Sequence, residues 1–297
     1  MPESRKGPVQ TALPTQALLR ELIRVWNPLG MEGVFLFLNG YIDESYNQRA
    51  FTLSCLVAKG KDWLEVSRKW KLVLNAWNKK LKAQGRPLLS RYHASDCSNL
   101  KREFDGWTPG EQRAFVAELI RIFSQHRIDT IAYSIDLDEF KRIIPESLTE
   151  AQPDFAGYIY GLTLKLVLYE IANRYGVPHP DTKLSLVYDR SSYAGVVQES
   201  FTQVVDDVNC EHRNIFTTCA MTGWEYCIPL QPTDLVAYEN FKDAMRKVAP
   251  RDRRKALELL VNLDSFGGRA RFMGTDAIAG WRQVLLAGGK VDLPPRN

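Results

Sequence analysis

Histidine is scarce in this chain, with four residues in 297. A site built from its side chains therefore has to rely on other ligands. Cysteine is thin as well. Cys55, Cys97, Cys210, Cys219 and Cys227 are an odd number without CxxC spacing, which suits free thiols in a reducing compartment rather than a disulfide framework. Cys210, His212, Cys219 and Cys227 could be drawn as a zinc set, but their spacing matches no common finger or ribbon. The opening MPESRKGPVQ has no apolar core of signal-peptide type, and no apolar run approaches membrane-spanning length. The expectation is a cytoplasmic protein with no membrane partner. No internal repeat is present, and the net charge of +4 implies no partner by itself.

What is present is ordinary globular material. Apolar residues make up 45% of the chain and charged residues 25%, enough for a substantial core and too apolar for disorder. The length suits one large domain or one and a half ordinary ones. Charge is uneven along the chain. Lys59 to Arg91 carries ten Lys or Arg against only Asp62 and Glu65, and a second basic cluster runs from Arg251 to Lys255.

Val34 to Ser45, VFLFLNGYIDES, is the stretch around which the rest is arranged. It is apolar enough for a strand buried on both faces, and it runs into Asp43 and Glu44. Strand alternation would point these acids to opposite faces unless the chain turns there. An acid at the mouth of a buried strand is costly unless hydrogen-bonded, solvated or bound to a cation. Phe51 to Ala58 reads as a second strand joined by a short polar turn, hence an antiparallel hairpin. Before them, Leu18 to Trp26 recurs at helical spacing behind a loose, proline-bearing tail.

Asp62 to Leu81 is the clearest helix. Trp63, Val66, Trp70, Val73, Trp77 and Leu81 form one stripe, and basic residues fill much of the rest. The stripe reads as core. The back, including Arg68, Lys71, Lys79 and Lys82, is either a solvated face or a surface that tracks phosphates. Arg91 to Asp96 reads as an edge strand or loop. Thr108-Pro109-Gly110-Glu111 is a capping box that opens a helix to about His126. Asp129 to Leu137 alternates as a strand, and Phe155 to Tyr175 is a long apolar helix closed by Gly176 and Pro178. Lys183 to Asp189 repeats the opening device, an apolar strand ending in an acid. Tyr193 to Val208 reads as a helix with Val197, Phe201, Val204 and Val208 inward, Ile215 to Met221 as the last strand, and Leu230 to Val248 as a helix. One basic helix and a glycine-rich end complete the chain.

Asp43, Asp189 and Asp234 then carry the chemistry. If the two acid-ended strands are parallel neighbours, their acids emerge on the sheet edge where α/β proteins place their sites. Asp234 would join them from a helix packed on that sheet. Three converging carboxylates repel one another unless divalent cations neutralise them. Oxygen-only ligation favours Mg²⁺ or Mn²⁺, and two such ions would clamp the attacking water and the leaving oxygen of a phosphodiester. Each acid also has a plainer reading. Asp43 and Glu44 could open a turn, Asp189 could cap the following helix, and Asp234 could sit in a first helical turn favoured by the dipole.

YIDES after an apolar strand, the HASD segment, the strand ending VYD, and LQPTDLVAYE together resemble the bacterial family catalogued as domain of unknown function 3800. The resemblance spans roughly residues 34–245. It implies a ribonuclease H-like mixed sheet flanked by helices, with helical insertions and a C-terminal extension. The domains expected are 1–31 as tail and helix, 32–250 as the ribonuclease H-like domain, and 251–297 as a basic extension packed on it. The family's Asp-Glu pair and Gln-x-x-Asp motif map onto Asp43, Glu44, Gln231 and Asp234. Asp189 joins the implied site acids, His93 and Asp96 are supporting candidates, and two Mg²⁺ or Mn²⁺ ions are the implied cofactor. For His93 the preferred reading is a structural core histidine. Two positions depart from the family pattern. Tyr46 stands where a glycine often follows Asp-Glu-Ser, and TGWEYCIP replaces a Ser-Lys before the Gln motif, removing a lysine that could meet phosphate.

The leading expectation is a two-metal nuclease in phage defence or mobile-element biology, with nucleic acid as partner and the Lys59–Arg91 segment holding its backbone. The alternative is a non-catalytic nucleic-acid- or protein-binding module on the same fold. A glycosidase using two carboxylates is a third possibility, weakened because Trp63, Trp70 and Trp77 look like core.

Overall fold

The computed structural model describes residues 37–144, 154–178, 181–190, 192–248 and 252–286. The expected helix over Leu18–Trp26, the strand residues Val34–Leu36 and the final residues 287–297 lie outside them. Among the described residues a six-stranded mixed sheet forms the middle layer, in the order β5-β4-β1-β2-β3-β6. Strand β1 (Phe37–Tyr46) pairs antiparallel with β2 (Ala50–Lys59), and β2 pairs antiparallel with β3 (Ile128–Asp136). Strands β4 (Lys183–Asp189) and β5 (Phe216–Thr222) extend the β1 side in parallel, and β6 (Phe266–Met273) runs parallel to β3.

The expected hairpin is present, and Asn47 makes it. Its side-chain oxygen accepts the backbone N–H groups of Arg49 (2.8 Å) and Ala50 (3.0 Å), closing the turn with a local side-chain bond. Gly40 lets β1 and β4 approach, since a Cβ there would stand 2.7 Å from Leu186 Cδ2. In β6, Gly268 has φ +136° and its missing Cβ would overlap the backbone of Thr130, so only glycine suits that register.

Helices cover both faces. On one lie α1 (Gly60–Ala83), the short α2 (Ala94–Asn99) and α3 (Pro109–Phe123). The tryptophan stripe of α1 points into this layer, with Trp63, Trp70 and Trp77 all buried. Each indole N–H has an acceptor: Asn39 O at 2.9 Å, Gln231 Oε1 at 3.1 Å and Glu118 Oε2 at 3.0 Å respectively. That is how a buried tryptophan avoids stranding its donor. The capping box is complete, with Glu111 N donating to Thr108 Oγ1 at 3.1 Å and Thr108 N to Glu111 Oε2 at 2.7 Å. Also on this face are α7 (Leu230–Val248), which packs on β1 and β2, and α8 (Lys255–Val261).

The opposite face carries α4 (Leu137–Ile143), α5 (Phe155–Gly176), α6 (Ala194–Asp206) and α9 (Thr275–Leu286). Against the sequence expectation, α5 is long and apolar enough, at 22 residues, to cross a membrane; 67% of its most apolar window is buried inside the fold. It is the core helix of this face.

Three further expectations are corrected. Residues 94–99 are helical rather than an edge strand or loop, and the helix stops at Leu100 in the left-handed region (φ 52°). Helix α6 ends at Asp206, so Val208 is 75% exposed instead of inward. The strand over 216–222 is not the last, because β6 follows it in the stretch expected as an extension and joins the same sheet. The cysteines whose spacing matched no common zinc site are divided by the sheet, Cys210 being buried in the α5 core and Cys227 in the α7 core.

Candidate active site

The acids of β1 are not at the strand's end, as the sequence suggested, but in a fork. Asp43 pairs with Ser54 and Glu44 with Leu53, so β1 stays bound to β2 through Tyr46. Its pairing with β4 stops at Ile42 opposite Tyr188. Asp43 and Asp189 are therefore the next residues on two parallel strands just where those strands part. The gap between diverging strand ends is where α/β sheets place ligands.

Alternation holds through the fork. Tyr41 belongs to the α7 core and Ile42 to the α5 core. Asp43 accordingly feels Asp234 of α7, whereas Glu44 accepts a 3.4 Å hydrogen bond from the Tyr160 hydroxyl of α5. Both acids nonetheless line one cleft of about 420 Å³, together with Asp189 and Asp234. The cleft is predominantly polar, and Arg91, His93, Arg190, Trp224, Glu225 and Gln231 also face it.

The plainer readings of the acids fail on geometry. Asp43 is within a paired strand rather than a turn. Asp189 does not cap α6, whose N-cap is Tyr193 without a side-chain bond; its Oδ1 accepts Arg190 N at 2.7 Å. Asp234 lies beyond the first turn of α7, and its Oδ2 accepts Ala94 N at 2.8 Å, tying α7 to the start of α2.

Burial and mutual repulsion push every one of these acids upward. Asp43 is raised well above the carboxylate range, first by burial and then by Asp234, Glu44 and Asp189. Burial, with Asp189 and Asp234 adding to it, lifts Glu44 to about 7 against the Tyr160 hydrogen bond. Asp234 reaches about 6 through burial, held back by His93, Ala94 N–H and Arg91. Asp189 is raised by burial and Glu225, opposed by Arg190 N–H and Arg91. Four carboxylates that disfavour each other's ionisation are a store of negative potential that a cation would relieve.

The donor set is all oxygen, which suits a hard divalent ion such as Mg²⁺ or Mn²⁺. Among the described residues no three His, Cys, Asp or Glu side chains are already gathered into a shell that could hold an ion.

Gln231 is the hub beneath them. Buried to 3% exposure, its Oε1 accepts Tyr92 N at 2.9 Å and Trp70 Nε1 at 3.1 Å. It thereby pins the 91–94 segment to α1 and α7. Gln231→Ala strands two buried donors and is expected to cost about 2 kcal/mol in chemical denaturation. An unchanged unfolding midpoint would contradict this role. His93 is not a core histidine: its side chain is 34% exposed, and Nδ1 lies 2.8 Å from Asp96 Oδ2. Asp96 stands behind His93 and also meets Arg102 at 3.7 Å.

Arg68, Lys71, Lys79 and Lys82 are exposed on the outer side of α1, and none lines the cleft. Arg68 is held by Glu65 at 2.8 Å. The cations at the site are instead Arg91, the last residue of the Lys59–Arg91 basic segment, and Arg190, which the sequence reading passed over although it adjoins the strand ending in Asp189. Tyr160 and Trp224 were also missed. No spacing rule links Tyr160 on α5 to Glu44, and Trp224 lay inside the segment noted only for lacking lysine. No protein-family model, no curated protein and no solved structure matches this chain.

Proposed function

We propose that this chain is a divalent-metal-dependent phosphodiesterase acting on nucleic acid. The observation that carries the reading is the convergence of Asp43, Glu44, Asp189 and Asp234, from two parallel strands and a helix, on one cleft with Arg91 and Arg190. The sheet connectivity supports a ribonuclease H-like architecture: an antiparallel β1–β3 meander is extended by parallel β4 and β5 beyond β1.

Asp43, Asp189 and Asp234 would hold Mg²⁺ or Mn²⁺. Bound there, the ions supply positive charge to the attacking and leaving oxygens of a phosphodiester. The remaining work falls to the chain itself. Glu44, with its pKa near neutrality and its other contact a tyrosine hydroxyl, is suited to take a proton from attacking water. Arg91 and Arg190 can grip non-bridging phosphate oxygens, replacing the lysine missing from the 222–229 segment. Lys71, Lys79 and Lys82 are left exposed to meet phosphates further along a strand.

The second reading is a non-catalytic nucleic-acid- or protein-binding module on the same sheet. Calorimetric titration of Mn²⁺ at pH 8 separates the two. The phosphodiesterase reading expects saturable uptake that displaces protons from the acid cluster. No uptake at millimolar Mn²⁺ would leave the binding module. Trp63, Trp70 and Trp77 are all buried and cannot stack on a sugar, which leaves the glycosidase reading with Trp224 as its one cleft tryptophan among the described residues.

A further inference from the structure

Of the six tryptophans among the described residues, Trp63, Trp70, Trp77, Trp107 and Trp281 are buried in the cores. Trp224 is only half-buried, and it lines the acid cleft. It sits in the segment joining β5 to α7, where the N–H groups of Tyr226 and Cys227 close back on Gly223 O at 3.0 and 3.2 Å. Cys227 and Ile228 then anchor the segment in the core. Trp224 is thus held at the cleft by a compact turn. The Arg91 guanidinium stacks on its ring, 4.3 Å from the centroid. The same guanidinium lowers the pKa values of Asp189 and Asp234, so the indole and the acids share one cation.

We propose that Trp224, backed by Arg91, is a stacking platform for an unpaired nucleobase, and that the substrate class of this cleft is single-stranded nucleic acid. The inference rests on the phosphodiesterase reading of the acids and adds to it the form of the substrate. A nucleotide offers two surfaces, a charged phosphate and an apolar base face. The acids, with their cations, and the two arginines address the first; an apolar ring at a polar cleft addresses the second. Inside a duplex both faces of a base are covered by its neighbours, so it must leave the helix to stack on a protein ring. A single strand has no such barrier, and aromatic stacking accepts any base.

The test uses the full chain and fluorescein-labelled eight-residue DNA and RNA oligomers, read by anisotropy in Mg²⁺ and again in EDTA. The single strand is expected to bind about tenfold or more tighter than the duplex of the same sequence. Trp224→Ala should lose about tenfold in affinity for the single strand, whereas Trp224→Phe keeps most of it. An oligomer with abasic residues should bind the wild-type chain as weakly as the normal oligomer binds Trp224→Ala, which guards against a folding defect in the variant. Equal binding of single strand and duplex, or of normal and abasic oligomers by the wild-type chain, overturns the proposal. If the stacking pattern holds but Mn²⁺ supports no cleavage of any oligomer, the hydrolytic reading falls and the platform stands. Cleavage that ignores Trp224 and the bases sinks the platform alone.

Discussion

Asp43→Asn is expected to lower Mn²⁺-dependent phosphodiester cleavage by on the order of 10³-fold or more while raising the unfolding temperature of the metal-free protein. The two effects have one cause. Asp43 is raised well above the carboxylate range, first by burial in the fork and then by Asp234, Glu44 and Asp189. Asparagine keeps the oxygen that accepts Glu44 N at 2.9 Å and removes the charge that the other three acids repel. The fold gains, by roughly 1–2 kcal/mol, from losing a like-charge contact. The chemistry loses the carboxylate best placed between β4 and α7. Parallel cleavage assays and thermal melts check it. Full cleavage by the variant, or a lower melting temperature, would contradict the assignment.

Glu44 and Asp234 together should make the metal-free chain less stable by roughly 3 kcal/mol as pH rises from about 4 to about 7, and Asp43 adds to the fall in the same direction. The sign follows from the direction of the shifts. Glu44 moves from 4.5 to about 7 and Asp234 from 3.8 to about 6 on folding. Between those limits the native state holds protons that the unfolded chain has released. Linkage then makes each unit of pH destabilising until the folded pKa is passed. The two acids titrate together, and solvent reaches the cleft, so the total is less than the sum of separate shifts. Divalent ions should flatten the profile by stabilising the ionised cluster above pH 7. Denaturant melts at pH 5 and pH 8, with and without Mg²⁺, read this directly. Greater stability at pH 8 than at pH 5 without metal would contradict it.

The parts of this molecule that could be read from residue order are those governed by local periodicity. The α1 tryptophan stripe, the Thr108 capping box and the β1–β2 hairpin each carry their signal within a few residues. The juxtaposition of Asp43 with Asp189 is legible as two apolar strands that each run into an acid, provided the strands are parallel neighbours. What could not be read depended on contacts between distant segments. Strand β6 is built from FGGRARFM, whose glycines argue against a strand in isolation; it forms because Gly268 fits against the Thr130 backbone. The fork at Asp43 exists because β1 stays with β2 after leaving β4, a difference between two neighbours that no single segment encodes. The same holds for Arg91, brought to the acids by the Gln231 bonds to Tyr92 and Trp70.

Anomalous diffraction from crystals grown with Mn²⁺ goes to the heart of the matter. Manganese peaks are expected in the β1–β4 fork, within coordinating distance of Asp43, Asp189 and Asp234. Crystals at saturating Mn²⁺ with no peak in that cleft, or with metal bound only elsewhere, would contradict that expectation.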